Sequence, residues 1–259
     1  MKGVLYYFSG TGNTKWAADK LKEIFERYDL QLDLKSIEEE KRADTRGYSF
    51  LVIGTPVYAE IEPKIVEDFI STVPVTETQT RCIVYSTQGA AKCSAVRRIS
   101  TELAKRGYDV AVEAMIEMPN NFYFYFGKEP SDKKMRRVMI GAERKLRKLA
   151  RDFSRDREQK QRTSALRLSV GAFAGKTFRK SIPKISQNIT ASGDCIKCGL
   201  CLRNCPKGNI TFEGGLAIIH SNCILCLRCI HLCPENAILY KGRRINQTQK
   251  DIIKHLELK

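Results

Sequence analysis

The sequence predicts an α/β domain built on a parallel sheet of five strands, followed by a small, cysteine-rich α+β domain. Three observations carry this. Short apolar runs alternate with helical patterns through the first half of the chain, a Gly- and hydroxyl-rich turn joins the first run to the first helix, and eight of the ten cysteines fall in two identical runs near the C-terminus. Strands are expected at residues 4–8, 30–34, 50–54, 81–87 and 110–115. Helices are expected at 14–27, at 63–71 with Pro63 in its first turn, and at 93–106, closed by Gly107. Residues 35–47 are rich in charge and have no clear period, so any helix there is short. From 132 to about 162, Met135, Val138, Met139, Leu146, Leu149 and Phe153 recur at near-helical spacing among many Lys and Arg, which reads as a last helix with a solvated basic face. Residues 163–189 hold Gly171, Gly175 and Pro183 with little periodicity and read as a linker. The expected organisation is therefore a first domain at 1–162, a linker at 163–189, a cysteine domain at 190–241 and a helical tail at 242–259.

The cysteine runs carry the most specific chemistry. Cys195, Cys198, Cys201 and Cys205 precede Pro206, and Cys223, Cys226, Cys229 and Cys233 precede Pro234, with the same x2, x2, x3 spacing. Three closely spaced thiolates wrap one face of an iron-sulfur cubane, while the fourth, carried off by the turn that ends in Pro, reaches the other cluster. By that rule Cys195, Cys198, Cys201 and Cys233 hold one [4Fe-4S] cluster, and Cys223, Cys226, Cys229 and Cys205 hold a second. Zinc knuckles pair two CxxC halves across a spacer and often include His, which this spacing does not match. A disulfide framework suits a secreted mini-protein, but the chain opens MKGVLYYF without a charged-then-apolar leader, and a reducing, cytoplasmic compartment is expected. The two runs repeat at an offset of 28 residues, which predicts a pseudo-twofold domain.

The formal net charge of +16 is uneven. Residues 128–184 hold nineteen Lys or Arg against six Asp or Glu. Two clusters, each of net charge about −2 with its thiolates, leave the protein basic. No apolar stretch approaches the ~20 residues of a membrane span.

Residues Leu5, Tyr6, Tyr7 and Phe8 run into Ser9, Gly10, Thr11, Gly12, Asn13 and Thr14, and a helical pattern follows. Such a turn places backbone N–H groups and hydroxyls around an anion at the positive end of a helix. It fits neither GxGxxG nor GxxxxGK[ST], and a cradle of hydroxyls suits the phosphate monoester of a cofactor that stays bound.

This stretch resembles the FMN-phosphate signature of the flavodoxins. Two further segments support the resemblance: Pro56, Val57 and Tyr58 after the third strand, with Tyr58 the candidate aromatic against the ring, and Ser86, Thr87, Gln88, Gly89 and Ala90 after the fourth. The resemblance implies a doubly wound five-stranded sheet of order 2-1-3-4-5 with FMN at the carboxyl ends of its strands. Joined to the cysteine domain, the chain is similar to flavodoxin-ferredoxin fusion proteins of anaerobic microbes. It departs from flavodoxins in having no aromatic between Thr87 and Cys93, so one ring face is open or covered from elsewhere, with residues 122–126 (FYFYF) a packing plug or a lid.

Other residues invite bland readings. Cys82 reads as a core hydrophobe and Cys93 as core or helix surface. His231, between two cluster ligands, suits either a hydrogen bond that tunes a potential or plain exposure. The function expected is electron transfer between FMN, two [4Fe-4S] clusters and a redox partner, since no nucleotide fingerprint for NAD(P)H is visible. The alternative is an FMN-dependent reductase of a small substrate wired through the clusters. The basic stretch is expected to steer an acidic protein partner or an anionic membrane surface; it lacks a helix-turn-helix or an aromatic stacking surface, and no nucleic acid is expected.

Overall fold

In the computed structural model, which describes residues 1–89 and 93–258, β1 (Lys2–Tyr7) lies near the middle of a five-stranded parallel sheet of order β2-β1-β3-β4-β5. Its neighbours are β2 (Gln31–Ser36) and β3 (Phe50–Pro56), then β4 (Arg81–Gln88) and β5 (Asp109–Glu117). Strands covered on both faces read as continuous apolar runs, and Phe50, Leu51, Val52 and Ile53 of β3 are all fully buried. The helices α1 (Asn13–Glu26), α2 (Lys64–Ile70), α3 (Ala95–Lys105) and α4 (Asp132–Ser154) connect and cover the strands. Rings from three elements, Phe25, Phe50 and Phe153, meet with centroids 5.1–6.0 Å apart. The doubly wound order is the one expected.

Two elements differ from expectation. The last helix of the sheet domain stops at Ser154, because after Phe153 the apolar spacing ends and Asp156 turns left-handed at φ 55. The chain then returns along the sheet edge, where Glu113 N donates to Gln159 O at 2.7 Å and Gln159 N to Ala111 O at 2.9 Å. An otherwise open edge strand is covered this way. The expected linker, in turn, is a helix, α5 (Ala165–Ser186). Its two glycines are packing residues: a Cβ on Gly171 would stand 2.0 Å from Ser94 Oγ, and one on Gly175 2.6 Å from Ile61 Cγ1. Periodicity was masked because the buried face begins with glycines and the exposed face carries apolar side chains.

The chain divides into two compact units, one of residues 1–9, 13–119 and 131–176 and the other of 10–12, 120–130 and 177–259. The second contains β6 (Ile189–Ala191), α6 (Leu200–Arg203), β7 (Ile210–Glu213), β8 (Leu216–Ile219), α7 (Arg228–Leu232), β9 (Ile238–Tyr240) and β10 (Arg243–Arg244). They form a three-stranded sheet, β10-β9-β6, and the hairpin β7-β8. The repeat is written in the backbone. Left-handed residues recur at the 28-residue offset: Lys197 with Leu225, Gly199 with Leu227, Gly208 with Asn236, and Gly214 with Gly242. The expected helical tail is mostly irregular, with β10 and a short 3-10 helix, Ile252–Leu256. Residues 122–126 behave as the plug: Phe122 stacks on Tyr125 at 5.0 Å, Phe124 meets Tyr240 at 5.0 Å, and Tyr123 OH donates to Asn246 O at 3.0 Å.

Candidate flavin and iron-sulfur sites

The carboxyl ends of β1, β3 and β4 present the three candidate flavin segments. Ser9, Thr11 and Thr14 are buried, and Gly12 takes φ +99, a conformation open to Gly at no steric cost. In the second unit, Asn121 Nδ2 donates to Thr11 Oγ1 at 2.6 Å. A Cβ on Gly12 would stand 2.1 Å from the Ile252 carbonyl oxygen, so this glycine is fixed by a close backbone approach as well as by its φ. In the first unit, Thr14 Oγ1 lies 2.8 Å from Thr87 Oγ1, and Tyr85 OH donates to Thr14 O at 3.1 Å. The first and second ring loops are held together where Pro56 pairs with Thr87 and Val57 N donates to Thr87 O at 3.1 Å.

Tyr58 is half-buried on a tight turn, bridged to Ile61, with Ala59 at φ 59. In the second loop Ser86 Oγ donates to Gln88 Oε1 at 2.5 Å, and Gly89 ends the described stretch. Ala90 lies outside the described residues. Buried polar atoms normally find partners, yet Gln88 Nε2 and Asn13 Oδ1 have none among the described residues. Orphaned amide atoms, together with buried hydroxyls, fit a phosphorylated flavin with its polar ring edge and ribityl hydroxyls.

Cys93 is buried near this loop, its Sγ 3.6 Å from both Ser86 Oγ and Gln88 Oε1. Burial pushes its thiol up, and burial does the same to Cys82 within β4. Both are core thiols.

The cysteines of the two runs have neighbours in one another's run. The Cys201 thiol, raised by burial, also feels the charges of Cys195, Cys198 and Cys233. Cys223 and Cys226 are raised by burial, Cys226 to about 12, and both also feel Cys205. A small apolar cavity brings Cys201 and Cys205 of the first run together with Cys223, Cys226 and Cys229 of the second, beside Ile210, Ile219 and Leu227. Cys205 and Cys233 thus each have neighbours in the opposite run. Backbone N–H groups aim at the sulfurs in repeat-related pairs: Asn209 N donates to Cys205 Sγ at 3.3 Å and Ala237 N to Cys233 Sγ at 3.2 Å. Buried thiols resist ionisation without a metal, whereas such donors stabilise thiolates that ligate one. Among the described residues no three Cys, His or acidic side chains converge on one single-ion position; a cubane spreads its four sulfurs over four irons.

Two residues gain roles that sequence reading missed or left open. Arg228, between Cys226 and Cys229, is buried and donates to Asn204 O at 2.9 Å and Gly10 O at 3.1 Å. A charged residue inside a cysteine run was the available signal. His231 is buried rather than exposed; its Nε2 lies 3.3 Å from Asn121 O, and burial lowers its pKa to about 4, so it is neutral.

A family model described as a 4Fe-4S dicluster domain matches residues 194–237. A flavodoxin of Maridesulfovibrio salexigens is 34% identical over 70 residues, which are 27% of this chain and 48% of that protein. The match thus spans about half the length of that relative. Among solved structures, oxidised Flavodoxin 2 from Bacillus cereus aligns at 21% identity and a TM-score of 0.44, over 60% of this chain and 99% of that one. The two-electron reduced flavodoxin of Megasphaera elsdenii aligns at 16% identity and a TM-score of 0.40, over 56% and 99%. With the sheet order described above, the chain joins a flavodoxin-like N-terminal domain to a C-terminal 4Fe-4S dicluster domain.

Proposed function

We propose that this chain is an electron-transfer flavo-iron-sulfur protein that passes electrons between FMN, two [4Fe-4S] clusters and a separate redox protein in a reducing, cytoplasmic compartment. The observation that carries it is that Cys205 and Cys233 each find neighbours in the opposite cysteine run, in a chain that also contains a flavodoxin-type sheet. FMN exchanges one or two electrons and the clusters one each. Ser9, Gly10, Thr11, Gly12, Asn13 and Thr14 hold the phosphate, and Pro56, Val57, Tyr58, Ser86, Thr87, Gln88 and Gly89 position the ring. Cys195, Cys198, Cys201 and Cys233 ligate one cluster, and Cys205, Cys223, Cys226 and Cys229 the other.

The partner is an acidic redox protein steered by α4, whose Lys133, Lys134, Arg136, Arg137 and Arg144 are exposed. Among the described residues no helix is long and apolar enough to cross a membrane. Anaerobic titration with reduced ferredoxin, followed in the flavin and cluster absorption bands, tests this reading. Both cofactors are expected to reduce with ferredoxin and neither with NAD(P)H alone; reduction by NAD(P)H alone contradicts it.

One observation favours the second reading, reduction of a small substrate. A cavity of about 460 Å³ is lined by Lys145, Lys148, Arg162 and Arg167 and reaches Cys93, whose thiol meets Ser86 and Gln88 of the second ring loop. Its chemistry suits a small anion. Turnover of anionic acceptors, with a KM raised by Arg162→Gln, supports that reading over the first.

A further inference from the structure

Three large apolar side chains on α5 stand in solvent: Leu166, Val170 and Phe173 are 75%, 56% and 74% exposed. Spaced i, i+4 and i+7, they occupy one stripe of the helix. The opposite side is pinned to the first unit. Gly171 and Gly175 approach Ser94 and Ile61 closely, and Arg167 holds Glu60 at 2.8 Å. The stripe therefore cannot turn inward without losing these contacts. It is a fixed, outward apolar ridge.

The helix's own charged residues have one sign. Helix α5 contains Arg167, Lys176, Arg179, Lys180 and Lys184 and no Asp or Glu. Lys176, Lys180 and Lys184 are exposed, and Lys180 and Lys184 follow Phe173 in sequence by seven and eleven residues. Large apolar side chains in water carry a free-energy cost that a covering surface removes, and an apolar patch beside charge marks an interaction site.

We propose that this face of α5 docks on an anionic lipid surface, with Leu166, Val170 and Phe173 entering the boundary between headgroups and acyl chains and the lysines resting on lipid phosphates. Two features favour lipid over an acidic protein. All three side chains are more than half exposed, so a protein would need a matching groove, whereas a bilayer yields around three side chains. A basic helix with Phe and Leu on its outward face also has the composition of interfacial helices. None of these residues is among those assigned to the cofactors, and the proposal does not depend on the route of the electrons. It makes the protein peripheral to the membrane, lying on it without crossing.

Vesicle flotation of the anaerobic holoprotein tests this, with phosphatidylglycerol-containing vesicles and with phosphatidylcholine alone. The parent is expected to float with the anionic vesicles and not with the neutral ones. Leu166→Ser, Val170→Ser and Phe173→Ser combined are expected to weaken binding at least about tenfold, and each Lys→Gln at 176, 180 or 184 about fivefold, with iron and flavin content unchanged. Phe173→Trp gives a second readout that does not depend on the triple variant folding. Its fluorescence is expected to be quenched by brominated acyl chains, while the buried Trp16 of the parent is not. A parent that ignores anionic vesicles, an unquenched Trp at 173, or a triple variant that binds lipid as well as the parent overturns the proposal. So does a parent dimer that the triple variant converts to monomer without any effect on lipid binding, since a second copy then covers the ridge.

Discussion

Thr14 and Thr87 meet hydroxyl to hydroxyl at 2.8 Å, tying the start of the first helix to the carboxyl end of β4. Thr14 ends the candidate phosphate turn and Thr87 belongs to the candidate second ring loop, so a single buried contact sets the spacing of the two segments. Thr14→Val and Thr87→Val are each expected to weaken FMN retention by about 5- to 150-fold, equivalent to about 1–3 kcal/mol for an unpaired buried hydroxyl. The double variant should cost less than the sum, because the two hydroxyls share one bond. Flavin released on gel filtration, with iron counted in the same fractions, checks this; iron should stay constant.

Gly12 is less forgiving. At φ +99, with the Ile252 carbonyl where a Cβ would sit, even Gly12→Ala forces the loop or the C-terminal segment to move. Flavin content is expected to fall in Gly12→Ala and to vanish in Gly12→Val, while cluster absorption persists. Full flavin in both variants would remove the phosphate turn from the site.

Cys205→Ala and Cys233→Ala separate crossed from local ligation. Cys233→Ala should damage the centre of Cys195, Cys198 and Cys201, and Cys205→Ala that of Cys223, Cys226 and Cys229. Low-temperature EPR of the reduced variants reads which centre survives, with Cys198→Ala and Cys226→Ala as references. A Cys233→Ala spectrum that matches Cys226→Ala instead of Cys198→Ala means ligation within each run.

Two glycines in helices should respond in opposite directions. Gly141 in α4 has open space around it, so Gly141→Ala is expected to stabilise by about 0.5–1 kcal/mol through helix propensity. Gly175→Ala in α5 meets buried Ile61 at 2.6 Å and should destabilise by about 1–3 kcal/mol as an overpacked contact. Anaerobic thermal unfolding at one scan rate compares them with the parent.

The two core thiols give a pH test. The thiolate is the reactive form, and burial raises the pKa of Cys82 and of Cys93. Alkylation of the native protein should therefore be slow at about pH 8, where an ordinary thiol near pKa 8.5 already reacts, and should quicken only as pH rises above that range. Peptide mass spectrometry after timed iodoacetamide treatment reads both sites. Rapid labelling of Cys93 at neutral pH would identify an exposed, activated thiol.

Much of this fold was legible because its signals are local. Apolar runs marked β1, β3 and β4, and the 28-residue spacing from Cys195 to Cys223 announced a repeat that the left-handed pairs 197/225 and 199/227 then display. What was hidden depends on distant partners. Gly171 and Gly175 looked like linker residues because their reason for being small lies at Ser94 and Ile61, some 77 and 114 positions away in sequence. Arg228 drew no reading from the sequence, because its burial follows from carbonyls at Asn204 and Gly10. His231 was ambiguous for the same reason, as its partner is the Asn121 carbonyl.

The most direct test of the central claim is a count of iron, acid-labile sulfide and flavin in the anaerobically purified chain. The expected result is about eight iron, eight sulfide and one FMN per chain, from two cubanes and one flavin site. Iron near four, zinc in place of iron, or a chain that holds no flavin when FMN is supplied would contradict it.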